Sequence, residues 1–165
     1  MNKTITNLCI IHQHPRILLG MKKRKFGAGR WNGYGGKPNP GETIEQTAIR
    51  EATEESDTVP QTLQLMAILD FYFVPKPEYS QQVIVYLSDK WDGEPKETEE
   101  MKPQWFKHNT IPFNKMWPDN MHWLPLVLQG SKVKGEFLFG ENDIVLDFNV
   151  KTVQSLTVAP ATGSR

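Results

Sequence analysis

The sequence predicts one α/β (α+β) domain, a mixed sheet with helices on both faces. Three observations predict it. Strand-type and helix-type runs alternate irregularly along the 165 residues, a length that suits one ordinary domain. The segment from Thr43 to Asp57 carries the caps and periodicity of a helix. Near the C-terminal end, Gly140-Glu141-Asn142-Asp143 separates two apolar runs and signals a hairpin. The domain is expected to span residues 1–154, with a small, polar tail over 155–165 expected to fray.

Taken in order, Thr4 to Ile11 is β-branched and apolar and reads as a core strand. His12-Gln13-His14-Pro15 is a turn, and Arg16 to Met21 resumes as the second strand of a hairpin. The sequence places no further ligand at metal spacing beside the two histidines, so they are expected to be solvated. Lys22-Lys23-Arg24-Lys25 reads as a solubilising loop. Phe26 to Arg30 holds two glycines that let backbone approach a ligand closely, in neither P-loop nor dinucleotide spacing. Trp31 to Gly36 is expected to pair as a strand.

After the helix, Leu63 to Val74 reads as a long or bent strand that Pro75-Lys76-Pro77-Glu78 breaks. Gln82 to Ser88 is another strand, with Val83, Val85 and Leu87 on one face. Trp91 to Glu100 is a turn-rich acidic stretch in which Glu97 and Glu99 are expected to be solvated. Met101 to Lys107 reads as a short buried strand. Leu124 to Gln129 is expected to be helical, with Pro125 in the first turn. Glu136 to Phe139 and Ile144 to Val150 form the closing hairpin.

The helix carries the first chemical signal. Thr43 is an N-cap, and Gln46 completes a capping box. At about 100° per residue, Glu51 and Glu55 fall within roughly 20° of Ile44. They therefore continue the inward stripe of Ile44, Ala48 and Ala52, while Glu54 stands to one side. Carboxylates that lean inward repel one another and lose hydration, so they need cations. Arg50 is the one basic residue within the helix. A divalent metal is the simplest compensation, and oxygen ligands point to Mg²⁺, with Mn²⁺ possible.

Gly36, Glu42 and the run Arg50-Glu51-x-x-Glu54-Glu55 together resemble the Nudix box. Two positions depart from it: Asp57 stands where the family has glycine, and Thr58 where it has an aliphatic residue. Asp tolerates the left-handed helix end better than most residues, so the departure is read as a small stability cost. To about Val153 the chain is similar to one branch of that family, the animal-type MutT homologues. The carrying residues are Gly20 to Arg24, Phe26 to Gly33, Glu100-Met101, Ile111-Pro112-Phe113, Met116 to Asp119 and Ile144 to Asp147.

That resemblance implies a Nudix fold, an αβα sandwich with a strongly bent mixed sheet. It implies Mg-dependent hydrolysis of oxidised purine nucleoside triphosphates such as 8-oxo-dGTP. The metal would be held by Glu51, Glu54, Glu55 and the Gly35 carbonyl, with Glu100 from a later loop. Glu54, Glu55 and Glu100 are the candidate general bases, and Arg50 braces the loop and orients a glutamate. The purine pocket carried over is Leu8, Lys22, Phe26, Asn32, Phe71, Met101, Trp117, Asp119 and Trp123, with Asn120 where the branch has a second acid. Members of the branch are understood to admit both 8-oxoguanine and 2-hydroxyadenine by shifting a proton between two neighbouring acids, which Asn120 cannot do. Trp117 would stack on the base, Asp119 would accept from N1–H and N2–H₂, and Asn120 or Asn32 would donate to O6.

Composition sets the remaining expectations. Zero formal net charge gives no broad field for nucleic acid or an anionic membrane, so a charged small substrate would be handled locally, and the resemblance implies that it is a nucleotide. The single cysteine, Cys9, leaves no intramolecular disulfide. With no apolar run near about 18 residues and no cleavable leader pattern, a cytoplasmic protein is expected. A monomer is expected because no large exposed apolar segment is evident. Two other readings remain: hydrolysis of another nucleoside diphosphate derivative, and a nucleotide-binding module without catalysis.

Overall fold

The computed structural model describes residues 3–159. Its strands are β1 (Thr4–Gln13), β2 (Arg16–Lys22), β3 (Trp31–Asn32), β4 (Val59–Pro60), β5 (Gln64–Phe73), β6 (Gln81–Ser88), β7 (Trp91–Asp92), β8 (Met101–Lys107), β9 (Lys132–Phe139) and β10 (Val145–Val153). The helices are α1 (Ile44–Ser56) and α2 (Asn120–Leu128). Eight strands form one mixed sheet in the order β10-β9-β5-β6-β1-β2-β3, with β8 also on β2. The pairs β1–β6 and β5–β9 are parallel and the others in that sheet antiparallel.

Strand alternation divides the core. Ile10, Leu69, Val83 and Val85 face α2 and pack with its Trp123, Leu124 and Val127. Their neighbours in sequence, Cys9, Ile68, Ile84 and Tyr86, face α1 and pack on Ala48. The expected helices on both faces are therefore present, and Val83, Val85 and Leu87 share a face as expected.

α1 begins and ends as its residues dictate. Thr43 Oγ1 accepts from Gln46 N–H at 3.1 Å, and Gln46 Oε1 accepts from Thr43 N–H at 2.9 Å. Asp57 closes the helix in the left-handed region at φ 61°, its N–H donating to the Thr53 carbonyl.

Several expectations are corrected. α2 starts earlier than expected, so Pro125 lies inside it rather than in its first turn and removes one helical hydrogen bond. The Trp31–Gly36 strand shrinks to two residues plus an isolated bridge from Tyr34 to Cys9. The basic and acidic runs pair with each other: Lys23 with Glu97, and Arg24 with Glu99 and Glu100. Met101–Lys107 is only partly buried, because alternate side chains face solvent. Leu156 and Val158 of the expected loose tail pack against the α1-side cluster; residues 160–165 of that tail lie outside the described residues. Leu138, Ile144, Leu146 and Phe148 are exposed on or beside the β9–β10 edge.

Candidate active site

β1 and β2 pair only at their hairpin end, and the glycine-rich loop fills the gap where they diverge. On one side β3 pairs with Gly20 and Met21 of β2. On the other, Tyr34 bridges Cys9 of β1, and the Gly36 carbonyl accepts from Asn7 N–H and from Asn7 Nδ2. Two glycines are required by this close approach. A Cβ on Gly35 would stand 1.9 Å from the Asn7 carbonyl oxygen, and one on Gly36 2.6 Å from Glu51 Oε1.

The loop thereby brings backbone against the carboxylates of α1. Gly35 N–H donates to Glu55 Oε1 at 2.9 Å. Glu55 is 9% exposed, and burial pushes its carboxyl up to about 8. Burial also raises Glu51, with its Arg50 partner pulling the other way. Glu54 is exposed.

Arg50 binds none of the cavity; it ties the loop to the helix. Its guanidinium forks onto Glu42 at 2.7 and 3.0 Å and reaches Glu51 at 2.9 Å, Glu54 at 3.3 Å and the Lys37 carbonyl at 3.1 Å. Those bonds hold Glu42 down at about 2. Glu100 pairs with Arg24, whose Nε donates to it at 2.9 Å and keeps its carboxyl below the usual range, while the Glu100 charge adds to the rise at Glu55.

The residues fit a hard divalent cation. Glu51, Glu54 and Glu55 offer oxygen only, and Arg50 neutralises just the outer flank. The raised Glu55 shows that the protein alone does not compensate a charge there.

The base end lies on the α2 face. Leu8, Lys22, Phe26, Asn32, Phe71, Met101, Trp117, Asp119, Asn120 and Trp123 all border one cavity of about 320 Å³, which Gly35 and Glu55 also reach. Glu51, Glu54, Glu100 and Arg50 are not among its lining residues.

The Trp117 ring is held by Phe26, stacked at 5.0 Å, by the Arg30 guanidinium at 4.1 Å, and by the edges of Phe73 and Phe139. Trp123 is 1% exposed and is a core residue; its Nε1–H donates to Asp119 Oδ2 at 2.7 Å. Burial pushes Asp119 up to about 6, and the Trp123 bond opposes that rise.

The two asparagines present opposite groups. Asn32 Oδ1 accepts from Gly33 N–H at 3.0 Å, which leaves its amide NH₂ for the cavity. Asn120 Nδ2 donates to the Trp117 carbonyl at 3.1 Å, and its buried Oδ1 has no partner.

Sequence reasoning missed Asn7, Arg30 and Tyr79. Asn7 binds the loop and leaves Oδ1 buried and unpaired at the cavity. One signal was available, an amide in the middle of the apolar run from Ile5 to Ile11. Tyr79 stacks on Phe26 at 4.8 Å, a contact no local pattern marks. Of the two turn histidines expected to be solvated, His14 is exposed, whereas His12 is half-buried and His108 joins the pair.

A NUDIX domain profile matches residues 2–127. The chain is 47% identical to the oxidized purine nucleoside triphosphate hydrolase of Mus musculus over 148 residues, covering 90% of this chain and 94% of that one. It is 43% identical to the protein of the same name from Danio rerio, covering 92% and 97%. Its fold resembles a MutT protein from Bacillus halodurans with a TM-score of 0.78 at 24% identity, covering 89% of this chain and 97% of that one. With the glycine loop, the Arg50 brace and the inward glutamates in place, this chain belongs to the NUDIX hydrolases.

Proposed function

We propose that this enzyme hydrolyses oxidised purine nucleoside triphosphates such as 8-oxo-dGTP, by (d)NTP + H₂O → (d)NMP + PPi, and so sanitises the nucleotide pool. The observation that carries this reading is a single cavity with a carboxylate at one end and guanine-matched polar groups at the other. The names of the mouse and zebrafish relatives support it.

NUDIX hydrolases generally need a divalent metal, and we assign Mg²⁺ to Glu51, Glu54, Glu55 and the Gly35 carbonyl. Held there, the ion would supply charge neutralisation for phosphate oxygens and activation of a water. The chain's own residues do the rest. Arg50 fixes Glu51 and Glu42 to the loop, so the carboxylates keep their positions as charge changes. Arg24 holds Glu100 acidic, which makes it a weak base and favours Glu54 or Glu55 for taking the water's proton. Lys22 lies in the cavity and acts favourably on the ionised Glu55.

At the base end, Trp123 occupies Asp119 Oδ2, leaving Oδ1 to accept from guanine. The unpaired Asn120 Oδ1 supplies a second acceptor, so N1–H and N2–H₂ each meet one. The Asn32 amide then donates to O6, a role that its bond from Gly33 N–H supports. An adenine-type base would set its 6-amino group against that donor.

The reading carries with it a monomeric, cytoplasmic protein acting on a small nucleotide. Among the described residues no helix is long and apolar enough to cross a membrane. The deciding experiment is pyrophosphate release from 8-oxo-dGTP and from dGTP, with and without Mg²⁺. Release that is metal-dependent and faster from 8-oxo-dGTP is expected; binding without turnover would leave only a sensor module.

A further inference from the structure

We propose that His12, His14 and His108 form a binding site for one divalent transition-metal ion of the zinc class, separate from the carboxylate site. One ligand nitrogen from each imidazole lies within 4.8 Å of those of the other two. His12 Nε2 and His108 Nε2 are 3.0 Å apart. Two imidazole nitrogens on a tetrahedral zinc, with bonds of about 2.0–2.1 Å, sit roughly 3.3 Å apart. The His12 and His108 ring planes are nearly parallel, at 17°, while His14 stands nearly perpendicular to both, at 86° and 82°.

The backbone holds this arrangement. His12 lies near the end of β1 and His14 in the hairpin turn, where Gln13 pairs with Arg16. Arg16 in turn pairs with Lys107 of β8, and His108 N–H donates to the Pro15 carbonyl at 2.9 Å. His14 is exposed and the other two are half-buried, so an ion can arrive from solvent and keep a fourth position for water. A neutral imidazole offers a ring lone pair to a metal ion near neutral pH. Imidazole nitrogens select zinc, copper or nickel over magnesium, which prefers oxygen.

The site is remote from the reaction. None of the three histidines borders the nucleotide cavity. His12 stands four residues beyond Leu8 along β1, roughly 13 Å at the rise of a strand. His108 is distant in sequence, so only the folded chain assembles the set, and an ion bound there clips the β1–β2 hairpin to the end of β8.

The test is titration of Co²⁺ alone into the full chain, in excess Mg²⁺ to fill oxygen sites, followed by visible absorption. One equivalent should produce the intense bands of a tetrahedral nitrogen-ligated ion, and one equivalent of Zn²⁺ should erase them. His14→Ala and His108→Gln should each weaken uptake by more than about tenfold, since even outer-shell changes around a metal cost ~10–100-fold. Both variants should release pyrophosphate at the parent rate, and Zn²⁺ should raise Tm in the parent but not in His108→Gln. Absence of cobalt uptake, or the same bands in both variants, would overturn the proposal and leave a hydrogen-bonded imidazole pair.

Discussion

Glu51, Glu54 and Glu55 stand on a single helix, α1, beside the loop that precedes it. The groups at the opposite end of the cavity come from β1, β2, β3, β5, β8, α2 and two loops. The first end is charged and local, while the second is aromatic, neutral or singly charged, and assembled from distant segments. A phosphate chain needs a metal, and three carboxylates on one helix can supply its ligands. A purine face needs walls on several sides, and one segment cannot provide them.

The sharpest way to break that comparison is Glu55→Gln. Loss of the carboxylate should lower kcat by about 10²–10⁴ while nucleotide KM changes little. Normal turnover in the pyrophosphate assay would refute the assignment. The same residue makes an opposite contribution to stability when metal is withheld. Its folded pKa of about 8, and that of Asp119 at about 6, lie above ordinary carboxyl values. The folded state therefore holds more protons than the unfolded state in that window. Stability in EDTA should fall as pH rises from about 4.5 towards 8. Glu55→Gln should flatten that fall, and Mg²⁺ should restore stability most at the alkaline end. Denaturant midpoints across pH would measure both.

At the base end, Asp119→Asn should cost about 1.5–3 kcal/mol in kcat/KM for 8-oxo-dGTP, as expected for a hydrogen bond to a charged group. The parent should show rising KM below about pH 6, as Asp119 protonates and stops accepting. A flat KM profile would remove that role. A smaller effect is expected at its neighbour. The parent should disfavour 2-hydroxy-dATP against 8-oxo-dGTP by about 1–3 kcal/mol, and Asn120→Asp should narrow the gap. Equal kcat/KM values for the two nucleotides in the parent would sink this argument. The smallest effect should come from the paired runs outside both ends. Arg24→Ala breaks exposed, solvent-screened ion pairs and should leave the denaturant midpoint nearly unchanged.

The same division governs what could be read before folding. The helix phase placed Glu55 inward and Glu54 outward, because 3.6-residue periodicity is a property of the local chain. The cap at Thr43 and the left-handed Asp57 were legible for the same reason. The pocket residues were reached through resemblance rather than periodicity, and which groups Asn32 and Asn120 leave unpaired was visible only in their hydrogen bonds. Pro125 was misplaced because helix starts depend on what the first turn packs against.

By itself the sequence determined the strand alternation, the capped acidic helix and the glycines that admit it, since each depends on neighbours within a few residues. Tertiary structure alone decided that Trp123 takes one oxygen of Asp119, that Arg24 pairs with Glu100, and that His108 meets His12 and His14. Those pairings join residues on separate elements or depend on a side chain's direction within the packed core. Such distances are set only when the sheet closes around its two helices.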